Sequence, residues 1–447
     1  MREKSALMGL LRPCFPRTQT WLQSGKCVSA LASDLPSANG WSVAEHAGDR
    51  APGRSQRLPN RASWDELAAM SQVRRYAAAG LDAAARRSRR RRMTVAALDE
   101  TGQEKQGAAT AGVKRRCMGC AGRVANGINT VHVSYAREKT GRALAGARQR
   151  IPSEDIADPV KSLVTGLPPD LRFRAKGQLA IDIMKDACAD GLCFDFACGD
   201  EVHGSCTELR QFLEDRGQAC VLRVASSFTL TLAPGTRMTC ADAVEKLLKG
   251  KRGREVRPAG SGSKGERWHA WAWIGTASPR RSLLARRHLK TGELAFHLCF
   301  VPEGQLASKA RLIRAAGLRR PVEESFELAK GCFGPDQCQA RLCTAALRHL
   351  VLVMAALAVC AVTAAQLRER TDAQAPPPAG PDDQPPPDPG LAPLSVREVK
   401  RLLAAALTLP KPPGHAARWL HWRRRHQARS RWFHKRARLQ RNYALVS

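Results

Sequence analysis

The segment CFDFACGD, residues 193–200, is a short β-forming run that ends in an aspartate, and MTVAALD, residues 93–99, has the same form. Short apolar runs bounded by turn signals are typical of buried strands. In an α/β sheet, ligands collect at the carboxyl ends of the strands. We therefore expect Asp99 and Asp200 to face one crevice, although an aspartate in this position is more often a cap for the following turn or helix.

Further β-like and helical runs alternate around these two segments. NTVHVSYA begins at Asn129 and ACVLRVA at Ala219, while residues 177–190 and 205–216 have helical patterns. Strands that alternate with helices predict an α/β sheet with covered faces. From about residue 228 to 300 a Lys/Gly/Arg-rich segment with further β-like runs interrupts the alternation, and we expect an inserted β-rich subdomain there.

Composition and punctuation divide the chain into segments. PPPAGPDDQPPPDPG should be an extended spacer without a core. After it, Ser395 and Glu398 form a capping-box pair that predicts the start of a helix. The expected segments are 1–30, with little pattern; 31–90, a helical domain; 91–227 and 301–370, the two parts of the α/β core; 228–300, the β-rich insertion; 371–393, the Pro-rich linker; and 394–447, a basic helical tail.

The charge of the chain indicates a polyanionic partner. The 447 residues carry a formal net charge of +33, and so much positive charge repels itself unless a polyanion binds it. A genome of high G+C content would also enrich arginine, but it does not explain clusters such as the run between Arg86 and Arg92, which is either a solvated linker or a phosphate-contacting strip. Nucleic acid is the favoured partner.

Cysteine usage and the apolar segments bear on the compartment. The 15 cysteines are scattered and odd in number, and no recognisable secretory signal precedes them, so we expect a reduced cytoplasm. Cys117 and Cys120 have zinc-ligand spacing, but no second pair follows at zinc-finger distance. Residues 350–365 are apolar but shorter than the roughly 20 residues of a membrane span, and we interpret them as a buried core helix.

A third acidic element lies in the helical segment RRPVEESFELAKG. Arg319, Glu323, Glu327 and Lys330 share one helical face at this spacing. If the substrate is a phosphodiester, carboxylates can hold two divalent ions that activate the attacking oxygen and stabilise the leaving one, while a nearby Arg or Lys contacts a phosphate. Glu327 and its neighbour Glu324 are equally carboxylates, and a solvated helix face would use them just as freely.

The C-terminal tail interleaves cations with aromatic residues. Between residues 418 and 441, Trp419, Trp422, Trp432 and Phe433 alternate with Arg and Lys, including the run Arg423, Arg424 and Arg425. Such a composition suits nucleic-acid binding, because cations neutralise phosphates and aromatic faces stack on bases. The alternative is a basic amphipathic helix that packs on its own protein.

Many ordered segments of the chain resemble the DDE transposases of bacterial insertion sequences, specifically the insertion-sequence-701-like branch of the insertion-sequence-4 superclass. The resemblance covers most of the chain. It rests on NGWSVAEHAGD, SWDEL, LDETG, KQG, GCAGRVANG, GDEVHG, ELRQFLEDRG, GSGSKGERW, LLARR, ELAFHLCF, VEESFELAKG, GPDQCQAR, LRHLVLVMAAL, PLSVREVKRLL and WRRRHQAR.

The resemblance implies an RNase H-like catalytic core, a mixed sheet flanked by helices, with a helical N-terminal DNA-binding domain and an inserted β-rich subdomain. It places the metal-binding catalytic acids on Asp99, Asp200 and Glu323, with Mg²⁺ or Mn²⁺ as the cofactor, in two ions. Arg319 and Lys330 match the family's spacings around the helix acid and would contact phosphates. Further DNA contacts are expected from Lys264, Arg267, Arg423, Arg424 and Arg425.

The implied activity is cleavage of DNA at the element's terminal inverted repeats and strand transfer to target DNA by a cytoplasmic, nucleoid-associated homo-oligomer that does not use a membrane. The sequence departs from the family at His203, where tyrosine is usual, at Arg320 in place of tryptophan, and at Ala316 in place of the tyrosine of the YREK signature. The stretch after Arg142 is shortened and the first 30 residues match poorly. Two alternatives are a degenerate transposase that binds DNA without cutting it and a basic membrane-associated protein that uses residues 350–365.

Overall fold

The fold is described from a computed structural model of the chain. The description covers residues 2–446 except 87–91, 120, 234, 249–253, 263–264, 372–375, 377–383, 385 and 407–410. It also leaves out the side chains of residues 117, 254, 261–262, 265, 320–325, 369 and 441–446. Lys264, Cys120 and most of the run between Arg86 and Arg92 therefore lie outside the described residues, as do the side chains of Cys117 and Glu323.

Helices and strands occur in the following order. The helices are α1 Arg2–Leu11, α2 Thr18–Leu31, α3 Gly40–His46, α4 Gly53–Asn60, α5 Glu66–Arg86, α6 Ser153–Ala157, α7 Pro159–Thr165, α8 Lys176–Ala189, α9 Glu201–Ser205, α10 Thr207–Asp215, α11 Cys240–Leu247, α12 Lys309–Phe333, α13 Cys343–Thr371, α14 Val396–Ala406 and α15 His415–Val446. The strands are β1 Thr94–Glu104, β2 Lys114–Met118, β3 Arg123–Arg137, β4 Gly141–Arg150, β5 Phe196–Gly199, β6 Cys220–Val224, β7 Thr229–Thr231, β8 Arg237–Thr239, β9 Arg254–Gly262, β10 Gly265–Gly275, β11 Arg281–His288 and β12 Leu294–Phe300.

A ten-stranded mixed sheet organises the molecule. Its order is β2-β3-β1-β5-β6-β12-β11-β10-β9, and β4 pairs with β3 beside β2. β5 runs parallel to both β1 and β6, whereas the other pairs are antiparallel. The parallel strands need crossover connections, and α8 supplies one between β4 and β5 while α9 and α10 supply the next. The predicted α/β class is confirmed as a mixed α/β fold with a central mixed sheet.

Residues 228–300 contribute strands in two ways. β7 and β8 form a separate two-stranded ribbon beside α11, while β9 to β12 continue the central sheet beyond β6. A cluster of buried apolar side chains, including Leu230, Cys240, Leu283 and Phe296, joins the ribbon to these strands. This segment is therefore β-rich because it supplies both four strands at one side of the central sheet and the separate two-stranded ribbon. The segment boundaries given above stay predictions.

The helix α13 forms the centre of the helical layer. Of residues 350–365, all but Thr363 are buried, and the helix packs against α5 and β4. A Cβ on Gly80 of α5 would lie 2.6 Å from Cγ1 of Val362, so glycine is required where these helices meet. Among the described residues this is the one helix long and apolar enough to cross a membrane, and 83% of its most apolar window is buried inside the protein. The interpretation as a buried core helix is confirmed.

The two ends of the chain pack on this layer. The first 30 residues, which show little pattern in sequence, form α1 and most of α2 and bury Leu7, Leu11 and Val28 in the main core.

Towards the other end of the chain, Ser395 N donates to Glu398 Oε2 at 2.7 Å and Glu398 N donates to Ser395 Oγ at 3.2 Å. The capping box predicted ahead of α14 is therefore confirmed.

Candidate active site

Strand register brings two of the predicted acids to neighbouring positions. β1 and β5 are parallel with Leu98 opposite Gly199, and Asp99 and Asp200 are the next residues of their chains. β5 ends at Gly199, so Asp99 lies where β1 loses its parallel neighbour and continues beside β3 alone. This is the carboxyl end of a parallel strand pair, the place where α/β sheets bind ligands. Asp99 is buried and Asp200 is half-buried.

Asp200 is the N-cap of α9, and its carboxylate is bound by one residue of that helix. Its Oδ1 accepts a hydrogen bond from the backbone N–H of His203 at 3.1 Å and lies 2.7 Å from His203 Nδ1. The His203 ring is fully buried, and Nδ1 must carry a proton to donate to an ionised carboxylate. Burial raises the pKa of Asp200, but the hydrogen bonds and charge of His203 together with the charge of Arg319 outweigh it, so the pKa is lowered. Both hydrogen bonds use Oδ1, and Oδ2 is the oxygen that faces away from them.

Asp99 has a different environment. Its Oδ1 accepts a hydrogen bond from Glu100 N at 2.8 Å, and its Oδ2 lies 3.5 Å from a terminal nitrogen of Arg319. The pKa of Asp99 is raised to about 6, chiefly by burial and in smaller part by the negative charge of Asp200, against the lowering effects of Arg319 and the hydrogen bond from Glu100 N. The charges of the two carboxylates therefore influence each other.

The helix α12 supplies the cationic side of the site. It packs across β1, so Arg319 reaches Asp99, and eleven residues later Lys330 Nζ donates to the carbonyl of Gly102 at 3.3 Å. Between them Phe326 packs edge-on against His132, the residue opposite Asp99 on β3, with ring centroids 5.0 Å apart. Glu323 lies on this stretch of α12, one turn after Arg319, and its side chain is outside the described ones. Glu327 is exposed to solvent.

The donor set suits a divalent cation. Among the described residues no group of three His, Cys, Asp or Glu side chains is close enough to hold a metal, and the crevice shows the two carboxylates Asp99 and Asp200. Mg²⁺ is commonly held by one or two protein carboxylates and keeps several waters, so this pair fits such an ion. The raised pKa of Asp99 supports the fit, because a cation would offset the cost of burying its charge.

The predicted DNA contacts are spread over the molecule. Lys264 lies outside the described residues, and Arg267 is half-buried on β10. In the tail, Arg423 pairs with Glu45 of α3 and lies over the Trp419 ring, while Arg424 and Arg425 are exposed. The structure thus brings Arg319 to Asp99 in the crevice, whereas Lys330 lies further along β1, at Gly102.

His203 is the residue that sequence reasoning did not assign to the site. In sequence it stands only as a departure from the family, and the structure shows it bound to the second aspartate. A signal was present in the spacing, because an N-cap aspartate accepts from the residue three positions later and a donor side chain there can return to it.

Comparisons with known proteins bear on this chemistry. A sequence model described as DDE superfamily endonuclease matches residues 11–281. Among solved structures, the chain is similar to the cryo-EM structure of a piggyBac transposase synaptic complex with hairpin DNA, with a TM-score of 0.41 and 11% sequence identity over 91% of this chain and 76% of that one. No curated protein matches the chain.

Proposed function

Since this chain belongs to the DDE superfamily endonucleases, we propose that it is a DNA transposase of the insertion-sequence-701-like branch that cleaves phosphodiester bonds and transfers strands at the ends of its element. One observation carries the proposal. The register between β1 and β5 sets two buried or half-buried carboxylates, Asp99 and Asp200, side by side at the carboxyl ends of parallel strands. The surrounding mixed sheet flanked by helices supports an RNase H-like core.

Members of this superfamily generally depend on divalent metal ions, and we propose that Asp99, Asp200 and Glu323 hold Mg²⁺ or Mn²⁺, in two ions. When bound, such ions activate the attacking oxygen and stabilise the leaving oxygen of an in-line displacement. Asp200 offers Oδ2 for this purpose, because His203 occupies Oδ1. We propose Glu323 as the third carboxylate because it lies on α12 between Arg319 and Lys330, which both contact β1.

The cations of α12 orient the phosphate in this scheme. Arg319 lies against Asp99 Oδ2 and neutralises part of its charge. With a cation bound at Asp99, the Arg319 guanidinium would be available to contact the phosphate next to the scissile bond, because its planar donors suit two phosphate oxygens. Lys330 lies about three turns further along the helix and contacts a neighbouring phosphate as a point charge.

The proposed substrates are the element's terminal inverted repeats and target DNA, bound by a homo-oligomer in a synaptic complex in the nucleoid. Arg267 lies on β10, one of the strands that continue the sheet on the side of β6, and Lys264 precedes this strand in sequence. We propose that both contact DNA that leaves the crevice along this edge. Such contacts with phosphates position the duplex without reading its sequence.

A cleavage assay tests the proposal. Asp99→Ala, Asp200→Ala and Glu323→Ala should each abolish Mg²⁺-dependent nicking of a duplex that carries the terminal repeat, while Glu327→Gln, an exposed change on the same helix, should leave nicking intact. Binding of Mn²⁺, followed by electron paramagnetic resonance, should weaken in the three alanine variants and not in the control. Undiminished nicking by any alanine variant removes that residue from the site. Retained DNA binding without nicking by the wild-type protein would instead favour the degenerate, non-cutting transposase.

A further inference from the structure

The helix α15 has two halves with different surroundings. Residues 415–426, the anchor half, pack on the N-terminal helices. Trp419 is buried and its indole N–H donates to the carbonyl of Asp49 at 3.0 Å, while His415 Nε2 lies 2.9 Å from the carbonyl of Glu45. Arg423 pairs with the Glu45 carboxylate. One end of a long helix is thus fixed to α3 and the turn after it.

Aromatic packing strengthens this anchor. The Trp41 ring of α3 packs edge-on against Trp422 with centroids 4.3 Å apart, and His426 stacks on Trp422 at 5.5 Å. Trp419 and Trp422 are therefore structural residues, and the alternative interpretation of the tail as a helix packed on its own protein holds for this half.

Residues 427–440, the distal half, are exposed except for the partly covered Ser430 and Ala437. They contain five cations, and no Asp or Glu follows Glu398 anywhere in the sequence. Within the described part of the chain, no hydrogen bond or ion pair joins this half to another element. Like charges four residues apart, such as Arg431 and Lys435, weakly disfavour a helix, so negative charge from outside the chain would stabilise the segment.

Two arginines of the distal half lie over its aromatic rings. The Arg436 guanidinium lies 5.4 Å from the centroid of Trp432 and 5.1 Å from that of Phe433, and Arg429 lies 5.8 Å from Phe433. The two rings meet edge-on at 5.0 Å. Ring faces occupied by guanidinium groups are less available to bases, whereas a guanidinium held on a ring keeps its N–H donors directed outward. The arrangement favours phosphate over base recognition.

We propose that the distal half of α15 binds the sugar-phosphate backbone of duplex DNA outside the crevice, through its five cations, of which Arg429 and Arg436 lie over aromatic rings. The choice of DNA among polyanions rests on the proposed function. Fourteen helical residues span about 21 Å, a length along which a duplex presents about twelve phosphates. A membrane surface fits less well, because a helix that lies on lipid needs a separate apolar face, and here Arg429 and Arg436 share the face of the rings.

Neutralising the distal half provides the test, in the full-length protein with EDTA so that no cleavage occurs. The variant carries Arg429→Gln, Arg431→Gln, Lys435→Gln, Arg436→Gln and Arg438→Gln. The matched control removes five exposed cations elsewhere, with Arg172→Gln, Arg216→Gln, Arg237→Gln, Lys246→Gln and Lys290→Gln. Fluorescence anisotropy with a duplex of about 30 base pairs that lacks the terminal repeat gives the slope of log K against log salt. That slope should shrink by about 0.9 for each phosphate that the protein no longer neutralises, or about 4.5 in total for the five substitutions.

The control should change the slope by less than half as much, and circular dichroism should show that both proteins keep their folds. Equal slopes for the variant and its control would overturn the proposal. So would a variant that binds DNA as the wild type does but no longer binds vesicles of anionic lipid. If the proposed catalytic function alone is wrong, Asp99→Ala will fail to affect nicking while the slope result still stands.

A second variant addresses the role of the rings. Trp432→Ala with Phe433→Ala should weaken binding of duplex and single-stranded DNA by the same factor, because both substrates carry the phosphates that the ring-held arginines contact. A loss confined to the single strand would show that bases stack on the rings, and it would overturn the assignment to duplex backbone.

Discussion

The crevice and the distal half of α15 hold charged side chains in different ways, because the crevice pairs its carboxylates with donors whereas the distal half carries only positive charge. In the crevice each carboxylate is largely buried and has a partner at a defined atom, Arg319 for Asp99 and His203 for Asp200. In the distal half the cations are exposed and lack a carboxylate partner in the described part of the chain. We infer that function in the crevice depends on individual atoms, whereas binding by the helix depends on the sum of its charges.

The anchor half of α15 gives the largest expected effect on stability. Trp419→Ala removes a buried indole and its hydrogen bond to Asp49, which should lower the free energy of unfolding by about 3–5 kcal/mol. The exposed Trp432→Ala should change it by less than about 0.5 kcal/mol. Urea denaturation of both variants measures the difference. Similar values would erase the distinction between the two halves of the helix.

The buried charge of Asp99 should appear in the pH dependence of stability. Its pKa is about 6 in the folded protein and lies near 4 in an unfolded chain, so the native state binds the proton more tightly. The contribution of Asp99 to the free energy of unfolding is complete below pH 4 and is lost as the pH rises through 6, a change of about 3 kcal/mol. We expect Asp99→Asn to show less of this loss in metal-free protein, and Mg²⁺ to restore stability to the wild type only. A parallel pH profile for both proteins would contradict this account.

Removal of the His203 ring should weaken metal binding through Asp200. His203→Phe removes the side-chain donor to Asp200 Oδ1 and keeps the backbone donor. Loss of such a partner of a metal ligand typically lowers metal affinity by about 10- to 100-fold. His203→Asn keeps a short donor and should recover part of the loss. Mn²⁺ binding measured by electron paramagnetic resonance separates the variants, and thermal melting shows whether His203→Phe still folds. Equal affinities for wild type and His203→Phe would show that the ring only fills space.

Single cations of α15 should give the smallest effects, and they distinguish its halves. Arg438→Gln should reduce the salt slope of DNA binding by about 0.9. Arg423→Gln should reduce it by less, because Arg423 pairs with Glu45 and is only partly exposed. The sequence groups Arg423 with Arg424 and Arg425 as DNA contacts, and this comparison decides whether all three belong together.

Several elements could be predicted from the sequence because they depend on local rules, whereas the pairing of β1 with β5 that brings Asp99 and Asp200 together joins distant residues. The strands before Asp99 and Asp200 are short apolar runs, and α14 begins at its capping box. The buried position of residues 350–365 also follows from their composition. These features need no knowledge of distant contacts.

Other features depend on contacts between distant residues and could not be predicted. Nothing near Arg423 in the sequence indicates Glu45, which lies 378 positions earlier in the chain. The continuation of the central sheet by β12 likewise depends on its pairing with β6, far away along the chain. Burial of Leu7 and Leu11 by α13 and α5 shows the same limit for the first 30 residues.

The four-residue length of β5 fixes the spacing of the two aspartates. Gly199 is aligned with Leu98 of β1 on one side and with Leu222 of β6 on the other, so both neighbouring strands fix the register of β5. A shift by one residue would displace Asp200 by about 3.3 Å and turn it to the opposite side of the sheet. Insertions in the surface loops before α8 should therefore be tolerated, whereas a single residue added within 196–199 would separate the two carboxylates that we propose to hold the metal ion.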